Sequence, residues 1–582
     1  MDRQAWIAVT LCVLGLIGWQ FYMSSHAPPP RVAPAPVATA TPEATPSSIA
    51  AASAAPVPGA PPPAVAGLEA ETLQPFEEKI ETLRNGDVEL RLTNRGGGIS
   101  EAHLVNHKAE KGEGDVVLNA SARLPIGAIF EDPAAPALPE FSVARQADGS
   151  VQFERVTRGV TLRKRFILPA EAQKKDNYLS EMQIEFRNDN PEPYRNPGYF
   201  IALGSVLPIH PRDMTAYTRL VWYAGGKAGS TDANWFGAQN YPLVGVEKRP
   251  AQQFFREKLN TPADWAAMSN QFFTAVLTPL NGKASEVWAQ RFEEKPDQAT
   301  TLLGIEGAMG MPPFELQPGE VSTLNVQVYT GPKLYARLSK LEHNEDEIMN
   351  FGMWKLISKT LLNFMNLLHR FVGNYGLAIV LLTACVKGVL WPLQNKANRS
   401  MRKMAALAPK MQELKAKYKD DPTRMNQEVM KLYKENGVNP VGGCLPMMIQ
   451  IPIFFGLFSM LGQAAELRNA SFLWVRDLAQ PDTIAHLPVL GWPINILPLL
   501  MGATNVWLMR MTPNTGDAMQ RRVMMFMPLI FLVFCYNFAA ALALYYTTQN
   551  LFTILQLWHN QRQPAPVLDV APVTKRARKG RS

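Results

Sequence analysis

Between Tyr375 and Trp558 the chain holds five apolar stretches: Tyr375–Leu393, Cys444–Gly462, Pro488–Met509, Val523 to about Tyr536, and Phe538–Trp558. A lipid bilayer accommodates runs of this kind as helices, because each backbone polar group is then satisfied within its own segment, over about 20 residues per crossing. The last two stretches form one run too long for a single crossing, which predicts two shorter helices joined by a tight turn near Asn537. A further apolar run, Trp6–Met23, follows a short head carrying Arg3 and has Trp6, Trp19, Phe21 and Tyr22 near its ends. Aromatic residues stand there on spanning helices. Ser25-His26-Ala27 is a faint match to a cleavage site and Pro28 follows it, so the run reads as an uncleaved anchor. Six spans are expected.

At 582 residues the chain also needs soluble parts. Residues 25–67 are dominated by Pro and Ala, a composition that cannot bury enough apolar surface to fold and makes an extended linker. From Leu68 the pattern turns to short alternating strands. Asp87-Val88-Glu89-Leu90-Arg91-Leu92 alternates polar and apolar, Gly96-Gly97-Gly98 punctuates it, and Gln152–Val156 and Thr323–Tyr329 behave likewise. The fold class expected is therefore a multi-domain membrane protein: an α-helical transmembrane bundle of six spans plus an all-β sandwich domain. The parts, in order, are an anchor (1–24), the linker (25–67), the β domain (68–345) and an amphipathic interfacial helix (346–372). Spans follow at 373–394, 443–464, 488–510, 523–537 and 538–559, with a basic helical hairpin (395–442), an outer loop (465–487), a short loop (511–522) and a basic tail (560–582) between and after them. In the interfacial helix, Lys355, Lys359, Asn363, Asn366 and Arg370 recur at helical spacing opposite Trp354, Leu361, Phe364 and Leu368.

Charge sets the orientation. The connection from Gln394 to Gly442 holds eleven Lys and Arg, among them Lys396, Arg402 and Lys415, whereas Gln463–Leu487 holds only Arg468 and Arg476. Arg510, Arg521 and Arg522 flank the next connection, and the tail carries Lys575, Arg576, Arg578, Lys579 and Arg581. Basic connections stay on the cytosolic side, so both termini are expected inside and the β domain outside.

Lys387 interrupts an apolar run, Ile379 to Val386, before Gly388-Val389-Leu390-Trp391-Pro392. A cation inside a span costs a few kcal/mol at the bilayer centre and normally faces protein or water. The competing reading is snorkelling, since about six residues, roughly 9 Å of helix, separate it from the cytosolic end. Gln450 on the next span lies at a similar depth, and Asn505, Thr547, Thr548, Gln549 and Asn550 also lie toward the inner side, while Ile451–Leu457 and Met524–Phe534 stay apolar. Polar groups thus converge in depth within the inner leaflet; interhelical hydrogen bonding is the plainer alternative.

In the hairpin, Met401, Met404, Met411, Leu414 and Tyr418 line one stripe of a helix over Asn398–Tyr418, and Asp421-Pro422 starts a second helix with Met425, Val429 and Leu432. The stripe is either the hairpin's own core or a soft surface for apolar segments. The basic tail suits ribosomal RNA or anionic headgroups, or sets topology alone. The four cysteines, Cys12, Cys385, Cys444 and Cys535, all lie in or beside apolar stretches and form neither a disulfide framework nor a metal set.

The run Asn439-Pro440-Val441-Gly442-Gly443-Cys444-Leu445-Pro446-Met447-Met448-Ile449-Gln450-Ile451-Pro452-Ile453-Phe454 closely resembles the third span of the YidC insertases. Thr383–Leu393, Glu466-Leu467-Arg468 and Leu544-Tyr545-Tyr546 match as well, as does the order of parts. The resemblance implies a groove open to cytosol and lipid, holding one positive charge. Lys387 falls where Gram-negative members usually carry arginine; Lys keeps the charge, loses the fork of donors, and is more easily neutralised by burial. Thr383, Gln450 and Tyr546 match positions lining the substrate path, and Asn505, Gln549 and Asn550 complete the candidate groove. Asn537-Phe538-Ala539-Ala540-Ala541 departs from the Pro/Gly-containing turn that members commonly have.

The implied activity is insertion and folding of nascent membrane proteins, alone or with a Sec-type translocon, in a bacterial inner membrane with the β domain periplasmic. The implied partners are nascent membrane proteins, the ribosome through the hairpin and tail, the Sec translocon and lipids. No cofactor and no covalent chemistry are implied. The family's β domain resembles sugar-binding sandwiches, but a fold does not supply an activity. Two rivals stand beside this reading. A secondary transporter using Lys387 as a coupling charge predicts inverted repeats and a midplane site. A membrane-anchored sugar-binding protein predicts loss of function on deleting about residues 70 to 320.

Overall fold

The computed structural model describes residues 75–109, 114–121, 123–169, 176–240, 247–296, 300–419, 421–438, 445–487, 491–512 and 518–562. The expected anchor (1–24), linker (25–67), Asn439–Cys444 and the tail beyond 562 lie outside the described residues.

Strands β1 (Ile80–Arg84), β2 (Val88–Thr93), β3 (Gly98–Lys108) and β4 (Asp115–Leu118) form an antiparallel sheet in chain order. In β2 the apolar Val88, Leu90 and Leu92 are buried and Glu89 and Arg91 half-buried, the alternation expected of a sheet with one face on the core. Thirteen further strands, among the described residues, make a second antiparallel sheet. Its strands Tyr199–Val206 and Phe273–Pro279 are buried along their whole length, so both faces are covered. The two sheets share one apolar core, in which Leu90, Leu92 and Ile99 join Phe153, Phe166 and Ile184. The sandwich expected from the alternation is present. Val151–Thr157 and Val321–Pro332 are the strands anticipated at Gln152–Val156 and Thr323–Tyr329.

After a single helical turn at Tyr335–Leu338, the described residues form eight longer helices: α1 (Lys355–Val372), α2 (Tyr375–Ala406), α3 (Ala408–Lys417), α4 (Pro422–Glu435), α5 (Leu445–Leu461), α6 (Ile496–Met511), α7 (Ala518–Cys535) and α8 (Ala540–Gln561). α8 packs on α6 and α2, α1 on α2 and α5, and α7 on α6. A short turn, with Phe538 N donating to Cys535 O at 3.1 Å, joins α7 to α8 as anticipated near Asn537.

Three features of the helices bear on the expected layout. Among the described residues, α2 alone is long and apolar enough to cross a membrane by length and composition, with Met448–Leu461 and Ile496–Met511 as shorter apolar helices. α8 has 22 residues but carries a polar stripe, and α7 has 18 and includes Arg521 and Arg522 near its start. Second, α2 does not end near 394 but runs to Ala406, taking in the start of the expected hairpin. Pro409 ends it, because it lacks the N–H that would reach back to Ala405 O, and α3 begins with that proline in its first turn. Third, the polar side of α1 is not uniformly turned outward. Lys359 pairs with Asp346 and Glu347 of the preceding turn, and Asn366 Nδ2 donates to Glu466 Oε1 at 3.3 Å, while Leu356 and Phe371 are exposed. Acidic partners near and far in sequence thus hold two residues of the polar stripe.

The β domain meets the helices through residues 462–482. Gln271 Nε2 donates to Gly462 O at 2.8 Å and Gln480 Nε2 to Asp213 Oδ1 at 3.2 Å, and the Arg468 guanidinium lies 5.1 Å from the Phe273 ring centre. Burial pushes the carboxyls of Asp213 and Asp477 above the usual carboxylate range. It does the same to Glu466, whose Oε2 is buried with no hydrogen-bond partner among the described residues. A raised value in the fold means the neutral acid fits best. Its stabilising contribution is complete below the ordinary value of 4.5 and is lost as pH climbs through the raised one. Glu466→Gln, which keeps an acceptor for Asn366 without the charge, is therefore expected to raise the thermal midpoint at pH 8. Its fall in midpoint between pH 4 and 8 should be shallower than the parent's but not flat, since Asp213 and Asp477 remain. Parallel pH profiles for the two proteins would count against a buried Glu466 charge.

Candidate functional site

The site is organised by one face of α8. Tyr545, Gln549, Thr553, Gln556 and Asn560 follow at intervals of four, four, three and four, which places them in a stripe along the helix. Neighbouring helices reach it in sequence. From α5, Gln450 Nε2 donates to Tyr545 Oη at 3.2 Å and to Gln549 Oε1 at 2.9 Å. From α2, Lys387 Nζ donates to Thr553 Oγ1 at 2.9 Å, and that hydroxyl donates to Gln549 O at 2.8 Å. Two turns further along α2, Asn395 Oδ1 accepts from Gln556 Nε2 at 2.8 Å and Asn560 Nδ2 at 3.0 Å, and Arg402 Nη1 donates to Asn560 O at 2.7 Å.

Lys387 is 6% exposed, and no carboxylate among the described residues forms an ion pair with it. Its ammonium points into the bundle rather than snorkelling to an end. Thr383, one turn earlier, is buried and donates to Ile379 O of its own helix at 2.7 Å. Asn550 faces a different neighbour: its Nδ2 donates to Thr504 Oγ1 of α6 at 3.1 Å.

Two expected residues lie beside the cross-helix bonds rather than in them. Asn505 is half-buried, and it is Thr504 that meets Asn550. Tyr546 sits in an aromatic cluster, its ring centre 4.9 Å from that of Phe531 and 5.6 Å from that of Phe454, while the Tyr545 hydroxyl meets Gln450. One residue turns a helix by about 100°, so adjacent polar residues cannot serve the same neighbour. Thr553, Gln556, Asn560 and Asn395 were not anticipated, although the repeat Gln549, Thr553, Gln556, Asn560 was visible as a polar stripe at helical spacing.

One cavity of about 330 Å³ lies near the end of α8, against Asn398, Arg402 and Asn560, and another of about 560 Å³ lies on the β-domain side, against Asp213, Gln271 and Asn537. Neither of these two is lined by Lys387. The polar groups of the stripe are paired across the helices, where an unmade hydrogen bond is expensive. The arrangement offers exchangeable hydrogen bonds and one buried positive charge, and its chemistry is recognition. Asn395 is its most heavily used acceptor. Asn395→Ala leaves Asn560 Nδ2 without that partner and is expected to cost about 1–3 kcal/mol. Thermal unfolding in detergent reads this; an unchanged midpoint would mean that the bridge is dispensable.

The family model described as the 60Kd inner membrane protein matches residues 367–565, and that of the YidC periplasmic domain matches residues 81–364. Membrane protein insertase YidC of Histophilus somni (strain 2336) is 33% identical over 501 residues, covering 82% of this chain and 85% of its own. The protein of that name in Syntrophobacter fumaroxidans (strain DSM 10017 / MPOB) is 39% identical over 308 residues, 52% of this chain and 54% of its own. A solved structure of an active YidC insertase with its first transmembrane domain resolved aligns with 84% of this chain and 95% of its own, at 18% identity and a TM-score of 0.33.

Proposed function

Since the chain belongs to the YidC family of inner-membrane protein insertases, with that family's periplasmic β domain, we propose that the α8 stripe is the path along which a nascent helix enters the lipid. The family is non-enzymatic, and the work here is exchange of partners. The observation that carries the reading is the Lys387 ammonium held inside the bundle, among the described residues, by the hydroxyl of Thr553 rather than by a carboxylate. An incoming polar or acidic flank exchanges for that bond and for the Gln450–Gln549 bond, so its groups enter the inner leaflet without ever losing partners. Thr383, Tyr546, Asn505 and Asn550 flank this path. Clients are nascent membrane proteins, and a Sec-type translocon works beside the protein for some of them.

The six-span arrangement belongs to the same proposal. α2, α5, α6, α7 and α8 cross the inner membrane behind the N-terminal anchor, α1 lies along the outer interface, and both termini are cytosolic. α3 and α4, with the basic tail, then face the ribosome. The positive charge of the 394–442 connection supports this orientation. A photoreactive group placed at Thr383, Gln450 or Tyr546 is expected to crosslink stalled nascent chains bearing a first transmembrane helix. One placed at Val389, which is 78% exposed, should crosslink lipid instead. Equal nascent-chain yields from all four positions would remove the stripe from the path.

A further inference from the structure

Among its described residues, the connection from Ser471 to Asn495 exposes large apolar side chains. Phe472 and Val475 exchange backbone hydrogen bonds, each 2.9 Å, closing a tight turn with Leu473 and Trp474 at its tip. Leu473 has φ of 52°, the left-handed region that bulky residues avoid, and its side chain is 76% exposed. A turn tip facing water takes Gly or Asn there. Leucine carries both backbone strain and solvent-exposed hydrocarbon, and the second penalty disappears only in an apolar medium.

The tip is pinned to the first turns of two helices. Asn374, whose Oδ1 caps α2 by accepting from Leu377 N at 3.0 Å, donates through Nδ2 to Ser471 O at 2.9 Å. The Phe472 ring lies against Gly376 of α2. On the other side Asp482 Oδ2 accepts from Trp474 Nε1 at 3.1 Å and from Leu497 N in the first turn of α6 at 2.7 Å. Beyond it the hairpin of Thr483–His486 and Pro493–Asn495 exposes Ile484, Leu487 and Trp492. Asn495 Nδ2 braces that hairpin by donating to Tyr536 O at 2.8 Å, and Tyr536 Oη donates to Pro493 O at 2.7 Å. Exposed Leu377 of α2 and Leu499 and Leu500 of α6 continue the apolar surface down the helices.

We propose that this connection is a lipid-binding wedge, with Leu473–Trp474 and Trp492 seated at the headgroup–acyl boundary of the outer leaflet and fixing the depth of α2 and α6. The inference rests on the reading of those two helices as spans. Continuity with the helices' own apolar surface favours lipid over a protein partner, and a tryptophan with a satisfied N–H and an exposed ring suits that boundary.

The test uses the full-length chain with its native cysteines replaced, in phosphatidylethanolamine–phosphatidylglycerol vesicles. A nitroxide is placed in turn on Leu473→Cys, Trp492→Cys, Val389→Cys in α2, and Lys227→Cys at the exposed start of a β-domain strand. Collision with oxygen relative to a water-soluble nickel chelate should be several-fold higher at 473 and 492 than at 227. A ratio at 473 and 492 equal to that at 227, with 389 still in lipid, overturns the wedge alone. A wet 389 overturns the span reading together with the wedge. Protection of 473 from both reagents means cover by a second copy or another protein, and also overturns it. A benzophenone side chain at position 473 of the chain with native cysteines provides a second measurement. Irradiation in the same vesicles should give a phospholipid adduct, and its absence overturns the proposal.

Discussion

Lys387→Glu is expected to reduce insertion of substrates with acidic translocated tails by about tenfold or more, equivalent to roughly 1.4 kcal/mol. The ammonium is 6% exposed and makes its hydrogen bond to Thr553 Oγ1 at 2.9 Å. A threonine hydroxyl has one hydrogen, which Thr553 now gives to Gln549 O; by releasing that carbonyl it can donate to a carboxylate at 387 instead, so the bundle still assembles. What changes is the sign of the charge that an entering acidic flank meets in surroundings of low dielectric, where such interactions are strong. Lys387→Gln separates the two contributions. It keeps a donor for Thr553, so uncharged tails should insert nearly as in the parent, and acidic tails should fall between the parent and the Glu variant. Lys387→Arg should retain most insertion of both classes. The measurement is protease protection of tails translated into proteoliposomes. Normal insertion of acidic tails by the Glu variant would remove the charge from the mechanism.

Gly376→Val is expected to have the largest effect on stability. A Cβ on Gly376 would lie 2.2 Å from Phe472 Cγ and 2.4 Å from its Cβ, so the ring's root, not a flexible end, has to move. Phe472 is held by its two backbone bonds to Val475, and Ser471 by Asn374, so the strain passes into the first turn of α2 and the 471–475 turn together. Overpacking of this kind costs about 1–3 kcal/mol, and the lost cap contact adds to it. Gly388→Ala is the matched control. Nothing lies within 4 Å of a Cβ there, and alanine is the better helix former by about 1 kcal/mol. Thermal midpoints in detergent should fall for Gly376→Val and hold or rise for Gly388→Ala. Similar midpoints for both would mean that the turn is not locked to α2.

Much of the fold was legible because its signals are local. The alternation at Asp87–Leu92 gave the strand, and Asp421-Pro422 gave the start of α4, where Asp421 Oδ1 accepts from Arg424 N at 3.0 Å. The overlong apolar run gave the turn near Asn537. Of the candidate site, the residue types that pair across helices were legible. Lys387, Gln450, Gln549 and Asn550 all enter cross-helix bonds. That Thr504 and Tyr545, rather than Asn505 and Tyr546, make the cross-helix bonds was not legible, because an apolar span gives no independent mark of its rotation. The inward turn of Lys359 and Asn366 was equally hidden, since Glu466, the partner of Asn366, lies 100 positions along the chain.

From the order of its residues alone, the chain's family, its division into a β domain and an apolar helical part, and the presence of a cation among apolar neighbours could be settled. Each depends on composition or periodicity within one segment. Only the packed structure decided which hydroxyl holds that cation, that Asn395 ties the far end of α2 to α8, and that Leu473 and Trp474 stand out beside the first turns of two helices. Those facts depend on how helices are rotated and matched against one another, and that rotation is selected by the sum of many contacts between distant segments.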